Sequence, residues 1–309
     1  MEDKMQLLKV RNFNDVINDS LGFLKLNRNV LLRFILIAVL PLTLVGSWFF
    51  SSYFSFIGSI ASNGGRGLPE GFGLQIASVA VGALLMMAVG IIQATALISL
   101  FTIYEKSPDG VVSSDELFAA VKSDSLRLVG FYFALMFFMC LVMVAFFIVV
   151  GFMSYAGAAV VGALAAIALY VGLIYMSIAV MFSPFIYMRE RLGVIESIKR
   201  SFYLIKGYWW RTFGAFLVMY FIVGFASMIF TIPFYAIWFN HIFSMARSGV
   251  VSFDFGIGGR LAVMFMFCGT TILSSFIFVS VIMQYYNLVA IKEGPAEPEL
   301  SNAPNQLYE

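Results

Sequence analysis

The residues of this chain that could do chemistry are few and scattered. The only histidine is His241, and the two cysteines, Cys140 and Cys268, both stand in apolar runs. They form neither a metal-ligand set nor a disulfide framework. There is no Gly-Lys-Ser/Thr loop and no His-Glu-x-x-His. Two glycine-rich tracts, residues 63–67 and 255–260, read as connectors, because neither lies between a strand and a helix. An outer site would require Glu70, His241, Asp254 and Arg260 to converge in space. No cofactor, no metal and no nucleic-acid partner is expected from these residues.

The remaining candidates are polar residues in apolar surroundings and one basic segment. Gln93, Thr95, Thr270, Thr271, Ser274, Ser275 and Gln284 fall deep within apolar runs. Hydrogen bonding between helices is their ordinary role. Gln93 and Gln284 are the two that could line a polar pocket. The basic segment, residues 194–211, carries Lys199, Arg200, Lys206 and Arg211.

Composition dictates what must hold these residues. The chain has 309 residues, of which 61% are hydrophobic and 12% charged. Soluble domains carry roughly 25% charged residues. Mean hydropathy is +0.93. A chain with so little polar surface is expected in a membrane. A helix needs about 20 apolar residues to cross the hydrocarbon core. Five long stretches carry no Lys, Arg, Asp or Glu, and the longest, residues 128–188, breaks at 151–157. The expected fold is all-α, with six spans at about 32–58, 73–103, 127–152, 157–186, 209–239 and 260–290. Residues 1–294 then form one transmembrane domain. The Pro-rich stretch 295–309 reads as a disordered cytoplasmic tail.

Orientation follows from charge. With the N-terminus inside, sixteen of the nineteen Lys and Arg residues fall on the inner side. Only Arg66, Arg247 and Arg260 fall outside. This asymmetry predicts that both termini are cytoplasmic.

Each pair of spans is preceded by a segment with helical periodicity. Phe13, Ile17, Leu21 and Leu24 recur in the first, and Leu117, Val121 and Leu128 in the second. Ser113 and Glu116 form a capping box at the start of the second. Ile195, Ile198, Phe202 and Ile205 share one stripe of the third. The spacing predicts three hairpins, each preceded by an amphipathic helix at the cytoplasmic interface. Lys199, Arg200, Lys206 and Arg211 would then face anionic lipid headgroups. The same periodicity also fits a helix packed on the protein's own core. Gly207 is placed to end the third helix in a left-handed turn.

Two stretches resemble a known family. They are Ile198-Lys-Arg-Ser-Phe-Tyr-Leu-Ile-Lys-Gly-Tyr-Trp-Trp-Arg211, and Gln284-Tyr-Tyr-Asn-Leu288 followed by Lys292-Glu-Gly294. They are similar to six-helix bacterial membrane proteins related to the membrane domain of some glycerophosphodiester phosphodiesterases. The resemblance spans roughly residues 10–294. It implies architecture and carries no catalytic residues, and the soluble phosphodiesterase barrel is absent from this chain.

The expected function is therefore a non-enzymatic scaffold or assembly factor of the bacterial inner membrane. The alternatives are a transporter or channel for a small neutral or lipidic solute, and a lipid-modifying membrane enzyme.

Overall fold

A computed structural model describes residues 4–63, 71–155, 159–248 and 256–294. All elements among them are helical. They are α1 (Phe13–Leu26), α2 (Arg28–Phe34), a π-helical turn (Ile35–Val39), α3 (Leu40–Phe50) and α4 (Ser52–Asn63). Next come α5 (Phe72–Lys106), α6 (Ser114–Tyr155), α7 (Ala159–Val180), α8 (Ser183–Arg189) and α9 (Val194–Ile205). The last are α10 (Trp209–Ser248) and α11 (Gly256–Glu293). Among the described residues, six stretches are long and apolar enough to cross a membrane. This is the architecture of a multi-pass membrane protein.

Proline explains two of the breaks. Pro41 has no N–H, and its ring would collide with the carbonyl four residues back. The wide π turn immediately before it opens the room it needs. Pro184 stands in the first turn of α8, where a missing N–H costs nothing. Pro233 lies inside α10, which stays continuous.

The structure departs from the expected segmentation at both ends of α6. Residues 114–128 are the first turns of α6, not a separate helix. The capping box forms as expected: Ser113 N–H donates to Glu116 Oε2 at 3.2 Å, and Glu116 N–H to Ser113 Oγ at 3.1 Å. No breaker interrupts the chain until beyond Gly151. Within the expected break at 151–157, α6 stays helical as far as Tyr155, and residues 156–158 lie outside the described residues. Glu70, Asp254 and the tail 295–309 lie outside the described residues.

The buried faces of α1 and α9 mix large apolar residues with serines, and only partly coincide with the expected stripes. α1 buries Val16, Ser20 and Phe23, while Leu21 and Leu26 are exposed. α9 buries Ser197, Ser201, Leu204 and Ile205, while Ile195 is 64% exposed. Ile198 and Phe202 are half-buried. Small serines permit close approach to neighbouring backbone, and Ser201 Oγ donates to the Ala179 carbonyl at 2.5 Å. α9 ends as predicted, with Gly207 at a φ of 88°.

Burial concentrates at the end where the basic residues gather, called the basic end below. The main core joins α1, α5, α6, α8, α9 and α11 there. A small cluster of Phe234, Ala262 and Val263 sits at the far end. α3 packs on α5, and α10 packs on α11. α6 is the least covered: none of its most apolar window is buried.

The α3–α5 approach depends on Gly82. A Cβ there would meet the backbone N of Phe50, with Phe50 Cα 2.7 Å away. Backbone cannot swing aside as a side chain can. Gly82→Ala is therefore expected to destabilise the fold by about 1–3 kcal/mol, as overpacking does. Gly90→Ala, where a Cβ meets nothing within 4 Å, should be neutral in the same detergent unfolding measurement.

Candidate functional site

The basic end is held by one continuous polar network. α5 ends in Glu105, and α8 ends in Arg189. Arg189 forks onto the Glu105 carboxylate, Nε to Oε2 at 2.9 Å and Nη2 to Oε1 at 2.5 Å. Its third nitrogen, Nη1, donates to the Tyr285 hydroxyl at 3.0 Å. Tyr285 in turn donates to Glu190 Oε1 at 2.5 Å. Tyr286 donates to Glu105 Oε2 at 2.9 Å. The Arg189 guanidinium also lies 5.0 Å from the Tyr286 ring centroid.

Arg200 of α9 carries the network onward. It donates to Glu190 at 3.3 Å and forks onto both oxygens of Glu293, at the end of α11. The hydrogen bond to Glu293 holds Arg200 above its ordinary guanidinium value. Lys292 donates to the Tyr203 carbonyl and lies over the Tyr203 ring. Beneath the charges, Phe185 meets Tyr285 and Tyr286 edge-on at 4.8 and 5.6 Å. Phe23 stacks on Phe101 at 3.9 Å. This aromatic floor keeps the network in a low-dielectric setting, where charged hydrogen bonds are strong.

A strap at the start of the chain closes the same end. Arg11 is fully buried although it is charged. It pairs with Asp19 at 2.7 Å and donates to the carbonyls of Leu7, Lys9 and Gln6. Its backbone N–H donates to Asn287 Oδ1 at 2.8 Å, and its carbonyl accepts from Arg211 at 2.5 Å. Asn287 donates to Gln284 Oε1 at 3.0 Å, and Gln284 to Thr212 at 3.1 Å. Lys4 reaches the carbonyls of Glu105 and Ser107.

The two stretches singled out in the sequence therefore meet in space. Arg200 bonds Glu293, and Arg211 joins Asn287 through Arg11. All four residues of Gln284-Tyr-Tyr-Asn287 belong to the network. Comparison with protein-family models, curated proteins and solved structures finds no match. The reading of this end rests on its own geometry.

The candidate residues divide accordingly. Arg200 is half-buried and paired with Glu190 and Glu293, Arg211 is exposed but donates to the Arg11 carbonyl, and Lys199 and Lys206 are exposed. Gln284 belongs to the strap. Gln93 lies apart, on α5, where it donates to the Thr271 carbonyl and Ser275 Oγ, both at 2.8 Å. Ser274 donates to Gln93 Oε1 at 3.4 Å. Gln93 and Gln284 thus belong to separate hydrogen-bonded groups. Gln93→Leu is expected to cost only about 0.6–1.7 kcal/mol, the range for hydrogen bonds between membrane helices. A unfolding series in mixed micelles measures it.

Glu105 and Glu190 are central to the network. Their partners lie 84 and 95 positions away, beyond any local pattern. Among the described residues, no group of three His, Cys, Asp or Glu side chains is placed to hold a metal. Arg260 lies over the Trp48 ring at 5.3 Å, at the far end.

Next to the aromatic floor, toward the middle of the bundle, lies a cavity of about 530 Å³. α5, α6, α7, α8, α10 and α11 all contribute to its wall. The wall is overwhelmingly apolar, with Tyr132, Ser177, Tyr220 and Ser274 supplying its few hydroxyls.

Proposed function

We propose that this chain is a bacterial inner-membrane protein with both termini cytoplasmic, and that it acts as a non-enzymatic scaffold or assembly factor. The proposal includes three hairpins and kinship with the six-helix family named above. The contacts of α6 with α7 and of α10 with α11 support the hairpins.

The network at the basic end carries the functional reading. It joins the strap, α5, α8, α9 and α11, segments far apart in sequence, into one rigid surface. Its charged side chains are engaged with one another, as positioning elements are. Bidentate arginine pairs over a dry aromatic floor resist deformation. A rigid cytoplasmic face with outward apolar and basic side chains suits the docking of other components.

α1 and α9 support interfacial placement. Each keeps an exposed apolar residue, Leu21 or Ile195, beside exposed lysines. Lys199 and Lys206 would meet anionic headgroups, each worth on the order of 1 kcal/mol. Arg200 would instead hold α9 on α11, and Arg211 would hold the strap on α10.

A photo-reactive amino acid at Ile195 or Tyr203, both exposed on α9, tests the scaffold reading in intact membranes. A discrete cross-linked protein adduct is expected, weakened when Arg200→Ala releases α9 from α11. Adducts to lipid alone at both positions contradict the reading. Orientation is tested after Cys140 and Cys268 are replaced. New cysteines at Ser62 and Ser252 should label from outside the cell, and those at Lys122 and Lys199 should not. Reversed labelling contradicts the assignment.

The cavity favours a second reading, a carrier for a lipidic solute. Its apolar wall suits such a cargo better than a polar one. Movement of a labelled lipid across vesicles containing the pure protein, absent from empty vesicles, would establish it.

A further inference from the structure

We propose that the apolar cavity is a binding site for one acyl chain of an anionic phospholipid, whose phosphate is held by Arg127. The inference stands whether the protein is a scaffold or a carrier, because it concerns occupancy and not movement. The cavity lies inside the long apolar helices. Ile98 and Tyr132 in its wall are eight and five residues from Lys106 and Arg127 at the basic end. At about 1.5 Å per residue, this sets those wall residues roughly 8–12 Å below that end. The medium at that depth is hydrocarbon, so the surrounding bilayer supplies the occupant. A volume of about 530 Å³ lies within the usual range for ligand sites, roughly 300–1,000 Å³. The few hydroxyls of the wall offer water little, whereas an alkyl chain gains dispersion contacts along the rest of it.

Two polar features give the site a direction. The Tyr132 hydroxyl makes no hydrogen bond among the described residues, although its ring is largely covered. It offers a donor to an ester carbonyl. On the basic side of the cavity, Arg127 of α6 meets Tyr187 of α8. The Arg127 guanidinium lies 4.7 Å from the Tyr187 ring and donates to the Tyr187 carbonyl at 3.4 Å. Tyr187 stands one turn beyond Pro184 of the cavity wall, and its ring meets Phe131 beside Tyr132. Arg11, Arg189 and Arg200 each pair with a carboxylate, whereas Arg127 pairs with none among the described residues. Its charge is available for a phosphate at the mouth.

The test uses the full-length protein in nanodiscs of mixed phosphatidylglycerol and phosphatidylethanolamine, released for native mass spectrometry. One retained phosphatidylglycerol per chain is expected. Arg127→Gln should lower the preference for phosphatidylglycerol by about fivefold, as loss of one interfacial charge predicts. Leu135→Trp, which fills the cavity, should abolish retention of both lipids. A diazirine on the acyl chain of phosphatidylglycerol should label the unaltered protein at peptides containing Met139 or Met181. That arm decides the matter even where a variant fails to fold. A protein released without lipid, equal retention of the two lipids, or labelling confined to the outer faces of α6 and α7 would overturn the proposal.

Discussion

Replacing Arg11 with alanine is expected to be among the most destabilising single changes in this protein. The guanidinium is fully buried and serves Asp19 and three backbone carbonyls at once. Removing it strands a carboxylate and leaves those carbonyls without their donors. Breaking a buried pair in this way costs about 3–5 kcal/mol. Arg11→Lys should recover only part of the loss, because one ammonium cannot span four acceptors with the geometry of a planar fork. The backbone bonds of residue 11 to Asn287 and Arg211 are then all that ties the strap there. Trypsin should then cut at Lys9 in the alanine variant at concentrations that spare the unaltered protein. An Arg11→Ala protein as stable and as protease-resistant as the parent would remove the strap from the account.

The second large effect is expected at Arg189. Its side chain touches Glu105, Tyr285 and Tyr286, and so joins α8 to α5 and α11. Arg189→Ala leaves Glu105 with Tyr286 as its remaining side-chain partner. Glu105 is 36% exposed, so water compensates in part. The expected cost is about 2–3 kcal/mol, below that of a fully enclosed pair. Glu190 keeps Arg200 and Tyr285 in this variant, so α9 should stay docked while α5 and α8 separate. Hydrogen exchange across residues 183–189 and 100–106 should rise, with 194–205 little changed.

The parts of this fold legible in the sequence were those set by local rules. Run length predicted six apolar helices, because a membrane demands a minimum length whatever the neighbours are. The Ser113–Glu116 box and Gly207 were legible because capping needs only adjacent residues. The stripes of α1 and α9 were read from their large apolar residues. Most of those residues are only half-buried, Leu21 and Ile195 are exposed, and Ser20, Ser197 and Ser201 share the buried faces. In water the large residues would be buried; beside a membrane they need not be.

The network and the cavity were not legible, for a different reason. Glu105, Arg189 and Tyr285 stand in three separate helices, and nothing near any of them signals the others. Arg11 sits in a polar stretch that reads as surface, and its burial is created by the strap folding over α11. The cavity exists because α6 is sparsely covered by the rest of the bundle, and periodicity does not report the spacing between helices.

The most direct test of the network is a double-mutant cycle on Glu105 and Arg189, measured by unfolding in mixed micelles. Glu105→Gln, Arg189→Gln and the double variant should give a coupling of about 1–3 kcal/mol, as residues in direct contact do. The exchanged pair, Glu105→Arg with Arg189→Glu, should recover part of the stability lost by either change alone. Strictly additive effects, with no recovery in the exchanged pair, would show that the two helices are not joined there and would contradict the network at the basic end.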